Sequence, residues 1–535
     1  MTNQLFYGDN LPVMREQVAS ASVDLVYLDP PFNSKRDYNL LFKTPKGHSA
    51  DAQITAFEDT WHWGEQAERE FHEIMRQANT NAAQLCNALR AFLGENDLMA
   101  YLVMMANRLL ELHRVLKPTG SLYLHCDPTA SHYLKLVMDG IFGAENFRNE
   151  VVWQRTNVHS DSKTWSRVSD SLLFYTRSGT FTWNAQYSPH SEQYISSKYR
   201  HDDGDGRLYR LSDMTSPNPR PNMMYGWKGH ESPPNGWRYA KDTMARLDAE
   251  GRIWYPADKT KRPQLKRYLD EMSGTLMSNI WTDIPPINSQ AAERLGYPTQ
   301  KPLALLERIV QASSNEGDLV LDPFCGCGTA VHAAQKLNRR WIGIDITHLA
   351  VAEIERRMRS AFPGIAFDVI GTPKDLDSAR DLATRDKYQF QWWACAQVAA
   401  QPYQGKKKGA DGGLDGIVWF HDDKGPAKQI VVSVKGGENV SVTMIRDLCH
   451  VVDREKAAIG LFVTLASPTE PMRKEAITAG FYTAPHGAQF PKIQILTIAG
   501  LLADTERPKY PDMAQGAATF KRANQEAVGQ QPGLL

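Results

Sequence analysis

Four residues, Asp29-Pro30-Pro31-Phe32, follow directly on the apolar run Val23–Leu28. Consecutive prolines fix φ and carry no N–H, so the turn is stiff and its carbonyl groups are left without ladder partners. The Asp29 carboxylate and the Pro30 carbonyl are then two acceptors at a fixed separation, which suits a planar NH2 group with its two donors. An exocyclic ring amine is a poor nucleophile, because its lone pair is delocalised into the ring. Acceptors that take both N–H bonds draw the nitrogen toward a tetrahedral shape and free the lone pair for in-line attack on an activated methyl carbon. Phe32 offers a face for an extruded base to stack on. A Pro-Pro turn without chemistry is the plainer alternative.

A second group, Asp322-Pro323-Phe324-Cys325-Gly326-Cys327-Gly328-Thr329, lies between a strand pattern and a helix pattern. Its glycines allow a tight turn and a close approach of backbone to ligand. Gly343-Ile344-Asp345 ends the next strand pattern, where an acid can accept hydrogen bonds from both hydroxyls of a ribose. This is the layout of a nucleotide-type cofactor site at the carboxyl ends of parallel strands. A nicotinamide dinucleotide site is the rival, but Val331 stands where its third glycine belongs and the leading Asp-Pro-Phe is foreign to it. A third group, Tyr297-Pro298-Thr299-Gln300-Lys301-Pro302, puts Thr299, Gln300 and Lys301 in a polar loop suited to a cofactor carboxylate. Its alternative is an ordinary helix start with Pro302 in the first turn.

The elements that must position these groups alternate along the chain. Residues 5–7 and Val23–Leu28 read as buried strands, 100–116 as an amphipathic helix, and Lys117-Pro118-Thr119-Gly120 as its stop. A strand at 121–126 follows. After the long middle of the chain come a helix over Leu303–Ser313, a strand at 319–321, a helix over 330–337 and a strand at 341–344. Alternation of this kind is α/β. Residues 43–95, polar and partly acidic, read as a mostly helical insertion over the catalytic face. From 151 to 290 the rhythm loosens and Gly, Pro and aromatics crowd together, as in Ser216-Pro217-Asn218-Pro219-Arg220-Pro221, which predicts an irregular subdomain. The division expected is 1–150, 151–290, 291–370, a further unit over 371–505, and a Gln/Ala/Gly-rich tail over 506–535 that is expected to be disordered.

The chain has 535 residues, with 61 basic and 61 acidic side chains and a formal net charge of zero. The global field therefore gives no hint of nucleic acid, and any DNA must meet a local patch. The basic and aromatic mixture of 151–290 suits phosphate contacts and base stacking. No apolar run has the length of a membrane span, and the N-terminus carries no basic-then-apolar leader, so a cytoplasmic protein without membrane contact is expected. Six scattered cysteines fit a reducing compartment rather than a disulfide framework or a zinc ribbon.

Asp29-Pro30-Pro31-Phe32, Thr299-Gln300-Lys301-Pro302 and Asp322 to Thr329, in that order, resemble the motifs of the amino-methyltransferases of DNA. The catalytic motif precedes the cofactor motif with a long segment between, an order similar to the permuted β class. The resemblance spans about 5–359. It implies a Rossmann-like S-adenosylmethionine-dependent methyltransferase fold of seven strands, one antiparallel, with an inserted target-recognition region over 151–290. It implies methyl transfer from S-adenosylmethionine to an exocyclic amine of double-stranded DNA. A leading Asp points to adenine N6; N4 of cytosine is the alternative. The catalytic residues implied are Asp29, Pro30, Pro31 and Phe32. Those implied for the cofactor are Asp9, Thr299, Gln300, Lys301, Asp322, Phe324, Gly326, Gly328, Thr329 and Asp345, with Asp9 near its adenine. A homodimer and a separate restriction subunit are the protein partners such a family brings.

Farther on, Gly409-Ala410-Asp411-Gly412-Gly413-Leu414-Asp415-Gly416 leads into a strand at Gly416–Phe420, followed by strands at 429–434 and 460–464. This resembles the small α/β restriction-endonuclease-like fold of enzymes that cut methylated DNA. In that pattern Asp415 binds Mg²⁺ and Lys435 helps activate water. Ser433 stands where a Glu or Gln belongs, and a hydroxyl is a poorer Mg²⁺ ligand than a carboxylate. Two readings follow: a Mg²⁺-dependent nuclease within a bifunctional restriction enzyme, and a DNA-binding remnant of the fold. Lys406-Lys407-Lys408 suits phosphate as well as it suits solvent.

Overall fold

Strands buried on both faces need nearly continuous apolar sequence, and the chain supplies such runs at the strands that carry the motifs. The computed structural model describes residues 2–31, 37–43, 49–58, 62–158, 163–288, 291, 293–295, 297, 299–403, 413–511, 519–520, 525–526 and 528, with 37–58 described by its backbone alone. The central sheet contains β1 (Asn3–Tyr7), β2 (Val23–Leu28), β3 (Leu116–Cys126), β4 (Phe147–Gln154), β5 (Ser169–Thr176), β6 (Ile280–Trp281), β7 (Leu319–Asp322), β8 (Arg340–Asp345) and β9 (Phe367–Ile370). Their order is β6-β4-β5-β3-β2-β7-β8-β1-β9. Pairing is parallel except where β5 meets β3 and β4. One strand therefore runs antiparallel, as expected, but nine described strands form the sheet instead of seven. The short strands β6 and β9 lengthen it at its two edges, where unpaired N–H and C=O groups accept further strands.

The two faces of the sheet bury different residues. Val26 and Leu28 of β2 join a core with the helices α2 (Glu65–Met75), α3 (Thr80–Leu93), α4 (Asp97–Val115) and α5 (Ser131–Phe142). Leu25 and Tyr27 join a second core with α6 (Leu303–Ser313), α7 (Thr329–Lys336) and α8 (His348–Ala361). A period of two along each strand produces this split. The first helix, α1 (Asn10–Gln17), starts at Asp9, whose side chain accepts from Leu11 N at 3.0 Å. The expected stop at Lys117-Pro118-Thr119-Gly120 is a break of register within β3: Val23 pairs with Leu116, but Leu25 pairs with Ser121.

The segment 43–95 departs from the helical expectation. Strands Asp37–Lys43 and Ser49–Glu58 pair antiparallel before α2 and α3 begin. Tyr38, Leu40 and Phe42 on one strand, and Ala50, Ala52, Ile54 and Ala56 on the other, alternate with a period of two that belongs to strands. The expected boundary at 151 also shifts. β4 and β5 belong to the central sheet, and the separate compact unit runs Ala185–Ser278. That unit is more regular than anticipated. Its sheet orders the strands Ile253–Trp254, Gln264–Tyr268, Leu208–Asp213 and His201–Asp202, over a small core of Met214, Trp237, Met244, Ile253 and Leu265.

After β9 come α9 (Leu376–Arg385) and α10 (Lys387–Gln397), then a second sheet. It comprises β10 (Gln401–Pro402), β11 (Gly416–Phe420), β12 (Lys428–Lys435), β13 (Ile459–Thr464) and β14 (Ile493–Thr497) in that spatial order. β12, β13 and β14 run parallel, and α11 (Val442–Arg454) makes the first of the crossovers that parallel neighbours require. The tail expected to be disordered is tied down at three points. Thr519 Oγ1 accepts from Trp419 N at 2.8 Å, Phe520 lies under Arg356 at 4.5 Å, and Glu526 pairs with Lys336 at 3.1 Å. Side-chain partners, not composition, order these positions. Among the described residues no helix is long and apolar enough to cross a membrane.

Candidate functional site

The residues that could do chemistry follow the carboxyl ends of four adjacent parallel strands: Asp29 follows β2, Asp322 ends β7, Asp345 ends β8 and Asp9 lies just beyond β1. Adjacent strands lie about 5 Å apart, so four strand ends span one small ligand. They open into a single cavity of ≈ 310 Å³, lined among others by Asp9, Asp29, Pro31, Thr299, Lys301, Asp322, Phe324, Gly326, Thr329 and Asp345. Asp29 and Gly326 thus face a shared space. Phe32 and Pro298 lie outside the described residues. Pro30 is buried beside the cavity.

The glycine-bearing loop depends on its glycines at two positions. Gly328 has φ 76° and opens α7, and a Cβ there would stand 2.8 Å from Ile354. Gly326 has φ 52°, and the place of its missing Cβ faces the Tyr297 ring at 3.5 Å. The loop is tied to β8, because Gly326 N donates to Asp345 Oδ2 at 2.9 Å and Cys325 N donates to Ile344 O at 3.0 Å. Thr347 donates to Asp345 Oδ1 through both N and Oγ1, each at 2.9 Å. A carboxylate has about four acceptor positions; these donors fill most of those of Asp345, which still borders the cavity. Burial pushes its pKa up to about 6, against the opposing pull of those donors. Burial also holds the Asp322 carboxyl well above the usual carboxylate range, although Phe324 N donates to it at 3.0 Å.

A buried arginine ties the β1 end to the glycine loop. Arg108 of α4 donates to Asp9 Oδ1 at 2.9 Å, to Asn10 Oδ1 at 2.6 Å and to Met104 O at 3.1 Å. Asn10 in turn donates to Pro323 O at 2.7 Å. Sequence reasoning passed over Arg108; the signal for it was a polar pair, Asn107-Arg108, inside the long apolar run of α4. A second chain of groups was also missed. Tyr27, which lines the cavity, meets His125 Nδ1 at 2.9 Å, and His125 Nε2 meets Asp170 at 3.2 Å. Arg155 pairs with the other Asp170 oxygen at 3.0 Å. Burial pushes the Asp170 carboxyl up, but His125, Lys301 and Arg155 together bring it below its ordinary value.

Two residues of the third motif behave differently from the expectation. Lys301 forms an ion pair with Asp29, so the cation expected to meet a cofactor carboxylate lies on the carboxylate expected to grip the amine. Gln300 does not line this cavity. Its side chain accepts from Leu295 N at 2.8 Å and donates to Glu293 O at 2.6 Å, bracing the backbone of its own loop. It borders an adjoining cavity of ≈ 250 Å³ that also touches Trp153, Arg155, Asp170 and Arg294. The amide of a loop residue is drawn to nearby unpaired backbone groups, and residue type alone does not reveal this.

The C-terminal centre does not fit Mg²⁺. Asp415 is buried, its Oδ2 accepts from Val434 N at 2.6 Å and its Oδ1 accepts from Gln391 Nε2 at 2.7 Å. The Ser433 residue is 4% exposed and brings no carboxylate. Among the described residues, no three His, Cys, Asp or Glu side chains are grouped to hold a metal. Mg²⁺ is usually held by one or two carboxylates and water, and here both Asp415 oxygens already accept an N–H. Lys406-Lys407-Lys408 and 409–412 lie outside the described residues.

Residues 23–356 match the family model described as DNA methylase, of the N6 and N4 amino type, and residues 389–501 match one described as NACHT-associated inactive restriction endonuclease 1. The chain is 29% identical over 361 residues to the type II methyltransferase M.EcaI of Enterobacter cloacae, covering 67% of this chain and 69% of that one. It is 27% identical over 354 residues to the Mod subunit of the type III restriction-modification enzyme StyLTI of Salmonella typhimurium, covering 63% of this chain but only 50% of the subunit. Over 68 residues it is 50% identical to the DNA adenine methyltransferase YhdJ of Escherichia coli, covering 13% of this chain and 23% of that one. With residues of the three sequence groups gathered at one cavity, and a family match that spans most of its length, the chain belongs to the DNA methylase family.

Proposed function

We propose that this chain transfers a methyl group from S-adenosylmethionine to N6 of adenine in double-stranded DNA, as the modification arm of a restriction-modification system. The observation that carries the reading is that Asp29 and the Gly326–Asp345 pair border one cavity. The residues fit the donor. Asp345 borders the cavity as an acceptor for ribose hydroxyls, Asp9 and Arg108 form a polar end at β1, and the glycine loop leaves space that a Cβ would fill. S-adenosylmethionine supplies an electrophilic sulfonium methyl when bound. Asp29 accepts an N–H of the target amine, and the stiff Pro30-Pro31 backbone keeps that acceptor in place as charge develops on nitrogen. Lys301 balances the Asp29 charge and is the cation at hand for the donor's carboxylate.

The leading Asp of the catalytic motif and the YhdJ relative favour adenine. The Mod relative favours a separate restriction subunit as a partner. The unit Ala185–Ser278, inserted between catalytic and cofactor motifs, is the region we assign to target recognition. The test is direct. Plasmid DNA is incubated with the full chain and S-adenosylmethionine, digested to nucleosides and separated by mass and retention. N6-methyladenine supports the reading; N4-methylcytosine moves the substrate to the other base, and unmodified nucleosides remove methyl transfer altogether.

A further inference from the structure

Helix α10 lies within the endonuclease-like part of the chain, yet it touches three segments that build the methyl-donor cavity. Its Trp392 forms one buried cluster with Cys327 of the glycine loop and Tyr297 of the third motif. Its Gln389 Oε1 accepts from His348 N at 3.0 Å. The His348 ring is stacked on Tyr7, with centroids 3.5 Å apart and planes 18° off parallel, and Tyr7 leads directly into Gly8-Asp9. Other residues of the helix pack into the C-terminal domain. Trp393 lies in the core of the C-terminal sheet, and Gln391 donates to Asp415 at 2.7 Å.

We infer that α10 stands behind the lining of the methyl-donor site, that the endonuclease-like domain serves methyl transfer as a fixed brace, and that Trp392 is its positioning residue. Two glycines at positive φ leave the loop 325–328 with more backbone freedom than any other residue type would. Hydrogen bonds to β8 hold one side of this loop, and packing from behind restrains the other. The Tyr297 ring lies 3.5 Å from where a Gly326 Cβ would stand, and Trp392 backs both Tyr297 and the adjacent Cys327. A large, rigid indole is suited to that task, since it contributes wide contact area with only two rotatable bonds. The same domain whose acid is occupied by Val434 and Gln391 thus has a use in this chain that requires no metal.

The inference rests on reading the cavity as the S-adenosylmethionine site, and the experiment separates the two. S-adenosylhomocysteine binding to the full-length chain is measured by calorimetry, with methyl-transfer kinetics beside it. Trp392→Ala leaves a void behind the loop and raises the cofactor Kd by about tenfold, with kcat at saturating cofactor within about twofold of the parent. W392F recovers most of the loss. Trp393→Leu, one residue along, lowers the urea midpoint but leaves the cofactor Kd unchanged. Should W392A prove insoluble, Gln389→Leu carries the test, with a rise in Kd of about threefold. Equal Kd for W392A and the parent, or an equal rise in W393L, overturns the inference. A parent chain that binds no S-adenosylhomocysteine defeats the donor-site reading instead.

Discussion

Two strand-flanking aspartates in this molecule differ in their surroundings: Asp29 faces room for a substrate, whereas Asp415 is buried. Asp29 borders a cavity of ≈ 310 Å³ with Lys301 as its ion partner, and three other strand-end or strand-flanking acids open into the same space. Asp415 is buried, with both carboxylate oxygens taken by Val434 N and Gln391 Nε2. A carboxylate beside a strand is therefore a candidate reactive group only where the fold leaves it a space to act in. At Asp415 the same residue type has become a structural tie between α10 and β12.

The comparison breaks most sharply at Asp29. Asp29→Ala lowers methyl transfer by about 10²–10³-fold, while calorimetry finds the cofactor Kd within about twofold of the parent. A parallel loss of binding would mean that Asp29 belongs to the cofactor and not to the amine. Asp345→Ala does the reverse. Losing charge-assisted hydrogen bonds weakens cofactor binding by about 10–100-fold, read as Kd for S-adenosylhomocysteine.

A smaller effect comes from pH. Burial raises the Asp345 pKa to about 6, so the carboxylate is ionised above that pH and becomes a carboxylic acid below it. Only the ionised form offers its full set of acceptors to hydroxyl donors. KM for the cofactor should thus rise as pH falls through about 6, by up to about tenfold per pH unit, and a flat profile between pH 5 and 8 (set as about one unit below and two above that value) would count against Asp345 as the ribose ligand. At the other centre, the parent, Lys435→Ala and Asp415→Ala are all expected to show no Mg²⁺-dependent cleavage of plasmid DNA. Asp415→Ala lowers unfolding stability by about 1–3 kcal/mol in urea titration, because it strands the buried Val434 N–H. Cleavage by the parent that vanishes in K435A would return the domain to the nucleases.

Much of this molecule was legible in its residues. Strand runs such as Val23–Leu28, the helix over Leu303–Ser313 and the glycine turn before α7 follow from apolar periodicity and backbone sterics, which act over a few residues and are written locally. The strand pair in 37–58 was hidden because its alternation runs through a polar, acidic stretch whose composition suggests helix. The tail contacts of Thr519, Phe520 and Glu526 depend on residues a hundred or more positions away.

By itself the sequence determined which residues could carry chemistry and where along the chain the glycine loop must turn, since proline stiffness, glycine freedom and carboxylate chemistry belong to the residue. Only the tertiary structure decided which of those groups meet. It set Lys301 on Asp29, turned Gln300 to its own backbone, joined Asp9 to Pro323 through Arg108 and Asn10, closed Asp415 off, and brought Trp392 behind Cys327. All but the Gln300 contact are encounters between separate segments of the chain. Their energies depend on distance, burial and competing partners, and no local pattern encodes those quantities.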